Sequence, residues 1–477
     1  MTLRLAVIGG GISGLAAAHR LTELRTQSQQ PVEITLFEAG PYPGGVAGTK
    51  HIGEYLVETG ADMFITSQPA GVRLCERLGL AERLMTTSTE FRGSLVLRKG
   101  RPIPVPEGFM LLSPGRILPV LTSPIFSPWG KLRMGCDLIL PRGRRQPDES
   151  LADFVRRRLG REALDRLIQP LVGGIYTSDP ERLSLRATLP RFLEMESQHR
   201  SLILASRRQN AGSPAESSGS GARYGLFVTL PGGISELFER LVNVLQERIH
   251  LKTGTAVRSL KKRDDGRFDV ELDSGCEVFD GVIAATPAPI TARFLSGLAD
   301  VHPGPELRSL LTGIEYASTA IVVSGHRLAD IRHPLNAFGL VIPAIEKRRV
   351  LAVSFTSRKF PGRAPAGRIL LRTFVGGAMQ PELLQHDDAT ILRIVREELR
   401  DILGVEGEPD FAEVAWHRNA MPQYHVGHVE RVARIRALTA LVPGLELAGN
   451  AYSGVGLPDC IQSGESAAQR LVSDLDS

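Results

Sequence analysis

"AVIGGGISGL", residues 6–15, begins inside the apolar run "LRLAVI" of residues 3–8 and ends in a helix-compatible stretch. Gly9, Gly11 and Gly14 supply the pattern G-x-G-x-x-G. The run before them predicts a buried strand, and Ile12 to Arg25 predicts a helix with Leu15, Leu21 and Leu24 on its apolar faces. Gly9 permits the tight turn, Gly11 opens the helix N-terminus to a pyrophosphate, and Gly14 lets helix and sheet close together. "VEITLFE", residues 32–38, predicts the next strand. Its Glu38 stands where a dinucleotide-binding βαβ unit places the carboxylate that holds a ribose hydroxyl. The order strand, glycines, helix, strand, Glu is far more specific than the glycines alone.

Two further glycine clusters follow. "AGPYPGGVAGT" (39–49) places Gly44 and Gly45 just past the second strand. Near the C-terminus, "AGNAYSGVGLPDCIQSG" (448–464) carries Gly449, Gly454 and Gly456 and then runs into a helix. Glycine contributes no core packing and loses the most conformational freedom on folding, so such clusters mark backbone held close to something. The first and last clusters are expected to face one large cofactor.

The composition sets the bounds. A chain of 477 residues, 42% hydrophobic and 23% charged, is long enough for two or three domains. A formal charge of +5 is too small and diffuse for a nucleic-acid binder, though it suits an anionic ligand or membrane face. Cys75, Cys136, Cys276 and Cys460 are scattered, with no metal-like spacing, which predicts free thiols in a reducing, cytoplasmic setting. No signal-type leader and no apolar run of spanning length are apparent.

Between the clusters, residues 101–128 interleave seven prolines with apolar residues. This predicts irregular chain that is either a loop over its own core or a lipid-facing lip. Phe109, Met110, Leu111, Leu112, Ile125, Phe126 and Trp129 are the candidate interfacial residues. Ser150 is expected to cap a helix with Asp153 at its third position, and Gly173 and Gly174 either border a flat ligand or cap a helix. Residues 206–222, small and polar, read as a flexible insertion. Leu237, Leu241 and Leu245 line one face of a helix, and Phe268, Val270 and Leu272 one side of a hairpin. Val257 opens a strand-like run. "NAFGLVIP", "VLAVSFT" and "RILLRTFVGG" predict three strands of a second sheet, with Phe338, Val341 and Phe374 as candidates for an apolar wall.

The chain resembles the FAD-dependent flavoproteins of the amine oxidase superfamily, and within it the oxygen-dependent protoporphyrinogen IX and coproporphyrinogen III oxidases. The resemblance rests on the N-terminal glycines with Glu38 and Gly44-Gly45, and on "GGIYTSDPERLSLRATLPRF", "EMESQHRSLI", "MPQYHVGH" and "GNAYSGVGLPDCIQSG", and it spans nearly the full length. It implies an α/β plus α+β architecture: a Rossmann-like FAD-binding domain built from N- and C-terminal segments (1–90, 223–290 and 416–477), a mixed-sheet substrate domain (291–415) and a central, mainly helical insertion (91–205). It further implies six-electron oxidation of a porphyrinogen in haem biosynthesis, with molecular oxygen as acceptor and peripheral membrane contact or a homo-oligomer left open. The implied cofactor-binding residues are Gly9, Gly11, Gly14, Glu38, Gly44, Gly45, Gly60, Ala61, Asp62, Met63, Val257, Trp416, Gly449, Gly454, Val455 and Gly456, and the implied substrate-pocket residues are Asp62, Gly174, Phe338, Val341 and Phe374. The chain departs from the family where human-like members carry arginine: Asp62 and Ser94 stand there, with Arg92 nearby. Arg98, Lys99 and Arg101 are the candidate partners of substrate propionates, which leans the reading toward coproporphyrinogen III.

Overall fold

The computed structural model describes residues 2–27, 31–143, 148–211, 227–298 and 303–475. Its first unit is a five-stranded, all-parallel sheet ordered His250–Lys252, Val32–Phe37, Leu3–Ile8, Gly281–Ala284, Leu445–Leu447. The central strands are continuous apolar runs because helices or other chain cover both faces. On one side Leu5, Val7, Ile34 and Leu36 pack against the helices Ile12–Gln27, Ser235–Leu245 and Leu457–Leu475. On the other, Ala6, Ile8 and Phe37 meet the antiparallel meander Val257–Lys262, Phe268–Leu272, Gly275–Phe279, whose Phe268, Val270 and Leu272 point inward as expected. Three segments far apart in sequence thus build one sheet.

The second unit is a seven-stranded sheet ordered Phe411–Pro422, Tyr316–Arg327, Arg368–Gly376, Ala352–Phe355, Gly339–Val341, Leu95–Arg98, Arg101–Pro104. The three predicted strands lie side by side within it. The hairpin Leu95–Pro104 joins it too, although it lies in the segment expected to be mainly helical. One face carries Val322, Leu371, Val353 and Leu340 against the helix Asp388–Leu403. That helix starts where Asp387 accepts the Thr390 N–H and ends at Gly404, whose φ of 66° suits glycine. The other face carries Ala415, Ile321, Phe374, Ala352 and Val341, paired in register from strand to strand.

The helical unit packs around Phe109, Leu112, Ile125, Phe154, Leu164, Phe192 and Leu202. Ser150 caps the helix Leu151–Arg158 by accepting the Asp153 N–H at 3.1 Å, as the sequence predicts. The candidate lipid-facing set divides. Phe109, Leu112, Ile125 and Phe126 are buried and Leu111 is half-buried, because the prolines fold this segment back on its own core. Trp129 is exposed, together with Leu118, Leu121, Leu132 and Ile139; the Met110 side chain lies outside the description. Of the expected flexible insertion, residues 206–211 end the helix Leu202–Ala211 and 212–222 fall outside the described residues. Cys75, Cys136, Cys276 and Cys460 are free. No helix among the described residues is long and apolar enough to cross a membrane.

Candidate functional site

The parallel sheet delivers both glycine clusters to one place. Leu3–Ile8, Gly281–Ala284 and Leu445–Leu447 end together, Ala285 donating to Ile8 O and Ala448 to Ala284 O, so Gly9 and Gly449 leave the same carboxyl edge with one strand between them. Ligands of open α/β sheets bind at this edge. A Cβ on Gly9 would meet Ala285 O at 2.8 Å, and one on Gly14 would overlap Gly9 O. These are packing glycines. Gly11 differs: a Cβ there would have nothing within 4 Å, and it opens directly onto the N-terminus of the helix Ile12–Gln27. The loop after the second strand folds over this opening, with Gly44 N–H donating to Gly10 O and Gly44 and Gly45 at φ 145° and 64°.

Glu38, at the strand end, accepts the N–H groups of Gly10 and Gly40, each at 2.7 Å, which fixes the carboxylate beside the glycine turn. Thr255 N–H donates to Glu38 O, so the chain entering Val257 runs alongside. A helix N-terminus with open space before it, a carboxylate fixed beside it and positive-φ glycines over it together fit a dinucleotide such as FAD. Pyrophosphate would lie at Gly11 and ribose at Glu38.

The segment Gly60–Met63 is tied to the seven-stranded sheet. Asp62 pairs with Lys359 at 2.7 Å and with Arg372 at 3.0 Å, all three side chains being nearly inaccessible. Arg372 also donates to Gly60 O, and His417 donates from Nε2 to Thr59 O at 2.7 Å. Burial alone would raise the Asp62 carboxyl, but the charges of Lys359 and Arg372 outweigh it and hold the group well below the usual carboxylate range. Asp62 therefore serves the loop: its carboxylate is engaged by two cations of this chain.

Arg372 and Phe374 are on the same face of their strand, so the loop at Asp62 overlies the face that also carries Ala352 and Val341. Gly174, in the helix Gln169–Tyr176, lies opposite: a Cβ there would sit 3.9 Å from Val341. Gly174, Val341 and Phe374 are thereby brought to one apolar wall. Phe338 is buried just before that strand, its amide on Gly93 O. Trp416 faces the other way. It packs with the Asp388–Leu403 side of the sheet and donates to Asp388 at 2.8 Å, while strand alternation puts His417 on the side of Thr59. Lys99 and Arg101 are exposed at the tip of the edge hairpin, and Arg98 is half-buried with one terminal nitrogen lacking a partner.

In the C-terminal strip, Gly449 N–H donates to Ser463 Oγ at 3.0 Å, and Gly454 and Gly456 curl around Asp459. Val455 packs against the helical unit. A Cβ at Gly464 would overlap Ser13 O, so the last helix seats directly on the first. His417, Lys359 and Arg372 carried no signal of their own in the sequence, because each acts on a residue hundreds of positions away.

The model of the flavin containing amine oxidoreductases matches residues 12–472. Coproporphyrinogen III oxidase of Bacillus subtilis (strain 168) is 35% identical over 469 residues, covering 97% of this chain and 96% of that protein. The chain belongs to the coproporphyrinogen and protoporphyrinogen oxidase family of flavoproteins. It is an oxygen-dependent porphyrinogen oxidase. The mitochondrial protoporphyrinogen oxidase of Nicotiana tabacum is 27% identical over 507 residues, covering 99% of this chain and 95% of that one. A crystal structure from Exiguobacterium sp. 255-15, assigned to protoporphyrinogen oxidase, superposes with a TM-score of 0.86 at 30% identity, covering 100% and 99% of the two chains.

Proposed function

We propose that this protein oxidises coproporphyrinogen III to coproporphyrin III, using FAD seated along the carboxyl edge of the parallel sheet and molecular oxygen as final acceptor. The observation that carries the reading is the convergence of both glycine clusters on one edge, beside a loop bolted by Asp62 to the apolar face of the second sheet. FAD supplies a two-electron acceptor that oxygen regenerates, and three such cycles convert the porphyrinogen to the porphyrin. The chain's own residues bind and orient. Glu38 holds the adenosine ribose and the N-terminus of the helix Ile12–Gln27 takes the pyrophosphate. Gly44, Gly45, Gly60, Ala61, Met63, Val257, Gly449, Gly454, Val455 and Gly456 offer close backbone or apolar contact. The wall of Val341 and Phe374, facing Gly174, receives the flat macrocycle and excludes water; Phe338, buried just before that strand, lies in register with Phe355 on the helix-facing side and does not join it.

The choice of substrate is read at the rim. Coproporphyrinogen III presents four propionates where protoporphyrinogen IX presents two and two vinyl groups, so cations there favour the former. Arg98, with its unpartnered nitrogen, supports that choice, as does the higher identity to the Bacillus coproporphyrinogen enzyme than to the tobacco protoporphyrinogen enzyme. The protein works in the cytoplasm, touching the membrane through the exposed Leu118, Leu121, Trp129, Leu132 and Ile139 beside Lys131. The test is the ratio of kcat/KM for the two purified porphyrinogens at equal oxygen. A ratio above about ten for coproporphyrinogen III is expected, given roughly 1.4 kcal/mol per tenfold. A preference for protoporphyrinogen IX would overturn the substrate, and purified protein that takes up no FAD would overturn the cofactor reading.

A further inference from the structure

Tyr424, in the string "MPQYHVGH", is nearly inaccessible at 1% exposure, yet its side chain ends on the C-terminal glycine strip. The hydroxyl donates to Asn450 O and accepts the Gly454 N–H at 2.9 Å, so one phenol satisfies two backbone groups across the turn of the strip. His428, the first residue of the helix His428–Thr439, stacks on the ring with centroids 4.1 Å apart and planes within 12°. Burial pushes the His428 imidazole down to about 4, so it is a neutral stacking partner near pH 7. The backbone around Tyr424 is spoken for as well. Its carbonyl accepts the Ser184 N–H at 2.8 Å, Gln423 donates from its side chain to Tyr176 O at 3.4 Å, and Val426 N–H donates to Arg182 O at 2.9 Å. Tyr176 closes the helix that carries Gly174.

We propose that Tyr424 is a positioning residue that locks the Asn450–Gly454 strip into the shape that receives the flavin, and holds it in register with the Gly174 helix of the substrate wall. The proposal rests on the reading that this strip faces FAD. Its physical basis is that the hydroxyl bonds the main chain at both ends of the strip, adding to the burial of Ala451 and Tyr452 and to the 3.4 Å bonds from Asn450 Nδ2 to Ala420 O and from Arg436 to Ser453 Oγ. A buried phenol bonded to both ends of a five-residue arc narrows the conformations of that backbone before any ligand arrives. Because the same residue's main chain is bonded to the segment following Tyr176, the strip and the helix move as one piece.

The test uses Tyr424→Phe, which keeps the ring and its stacking and removes only the hydroxyl. The dissociation constant for FAD, followed by quenching of flavin fluorescence, should rise about tenfold. The limiting rate of anaerobic flavin reduction by porphyrinogen, measured at saturating FAD, should fall about fivefold or more with little change in the substrate concentration for half-saturation. In the unmodified protein freed of FAD, the Gly454 amide should already be protected from hydrogen exchange, a measurement that decides the matter if the variant does not fold. A wild-type holoenzyme alongside a Tyr424→Phe variant of equal FAD affinity and reduction rate would overturn this inference alone. Rapid exchange at Gly454 would do the same. A wild-type protein that binds no FAD would bring down the functional reading together with it.

Discussion

The carboxyl edge of the parallel sheet presents mainly backbone, whereas the apolar face of the seven-stranded sheet presents side chains. At the edge, the groups that matter are N–H donors and bare Cα positions, so glycine spacing reports them directly and the sequence between Gly9 and Glu38 can be read by eye. On the face, what matters is which of two alternating sides a residue takes and which distant segment crosses it. Gly174, Asp62 and Phe374 come from three elements with no shared local pattern. Backbone sites are written locally, and side-chain walls are written by register.

The sharpest way to break this contrast is at the glycines. Gly14→Ala places a methyl group into Gly9 O, backbone on backbone, with no flexible side chain to yield. Loss of soluble protein is expected. Gly11→Ala, with nothing within 4 Å, should leave a folded protein whose melting temperature without FAD is within a few degrees of wild type, but whose FAD affinity is at least tenfold weaker. Equal destabilisation by both substitutions would show that the edge holds no ligand-facing glycine.

The legibility of the chain follows the same division. The strand, turn, helix and Glu38 were readable because each has a local cause, as were the Ser150 cap and the inward set Phe268, Val270, Leu272. The buried fate of Phe109, Leu112, Ile125 and Phe126 was not, because proline-broken chain gives no periodicity by which an inner face is told from an outer one. Nor could Leu95–Pro104 be assigned to the large sheet, since only its parallel pairing with Gly339–Val341 puts it there. Asp62 drew attention for the arginine it replaces. Its partners Lys359 and Arg372 lie about 300 residues further on, and no spacing rule reaches that far.

That triad gives the second test, on the side-chain half of the comparison. Asp62→Asn leaves Lys359 and Arg372 adjacent and buried without their shared anion, and removing one member of a buried ion pair costs roughly 3–5 kcal/mol. The variant should unfold at clearly lower denaturant. Asp62→Asn combined with Lys359→Met should recover part of the loss, because one uncompensated charge goes with it. If the double variant is worse than the single one by the full cost of losing Lys359, the three side chains are not a coupled unit.

The smallest effect concerns Trp416 and His417, neighbours in sequence that lie on opposite faces of one strand. The indole donates to Asp388 at the start of the covering helix and the ring packs against the apolar core beneath that helix, whereas the imidazole reaches Thr59 O beside the Gly60–Met63 loop. Trp416→Phe removes one hydrogen bond to a charged group at a half-buried site, which is worth about 1 kcal/mol in stability. Because the change is confined to the helix side of the sheet, the FAD dissociation constant should stay within about twofold of wild type, on the scale of roughly 1.4 kcal/mol per tenfold. His417→Phe inverts the pattern. It leaves Thr59 O without its donor, so FAD affinity should fall several-fold while the Asp388–Leu403 helix keeps its amide protection. Measuring both constants on both variants tests the alternation itself: a Trp416→Phe variant that loses FAD would place the indole on the cofactor side and undo the assignment of faces across the whole sheet.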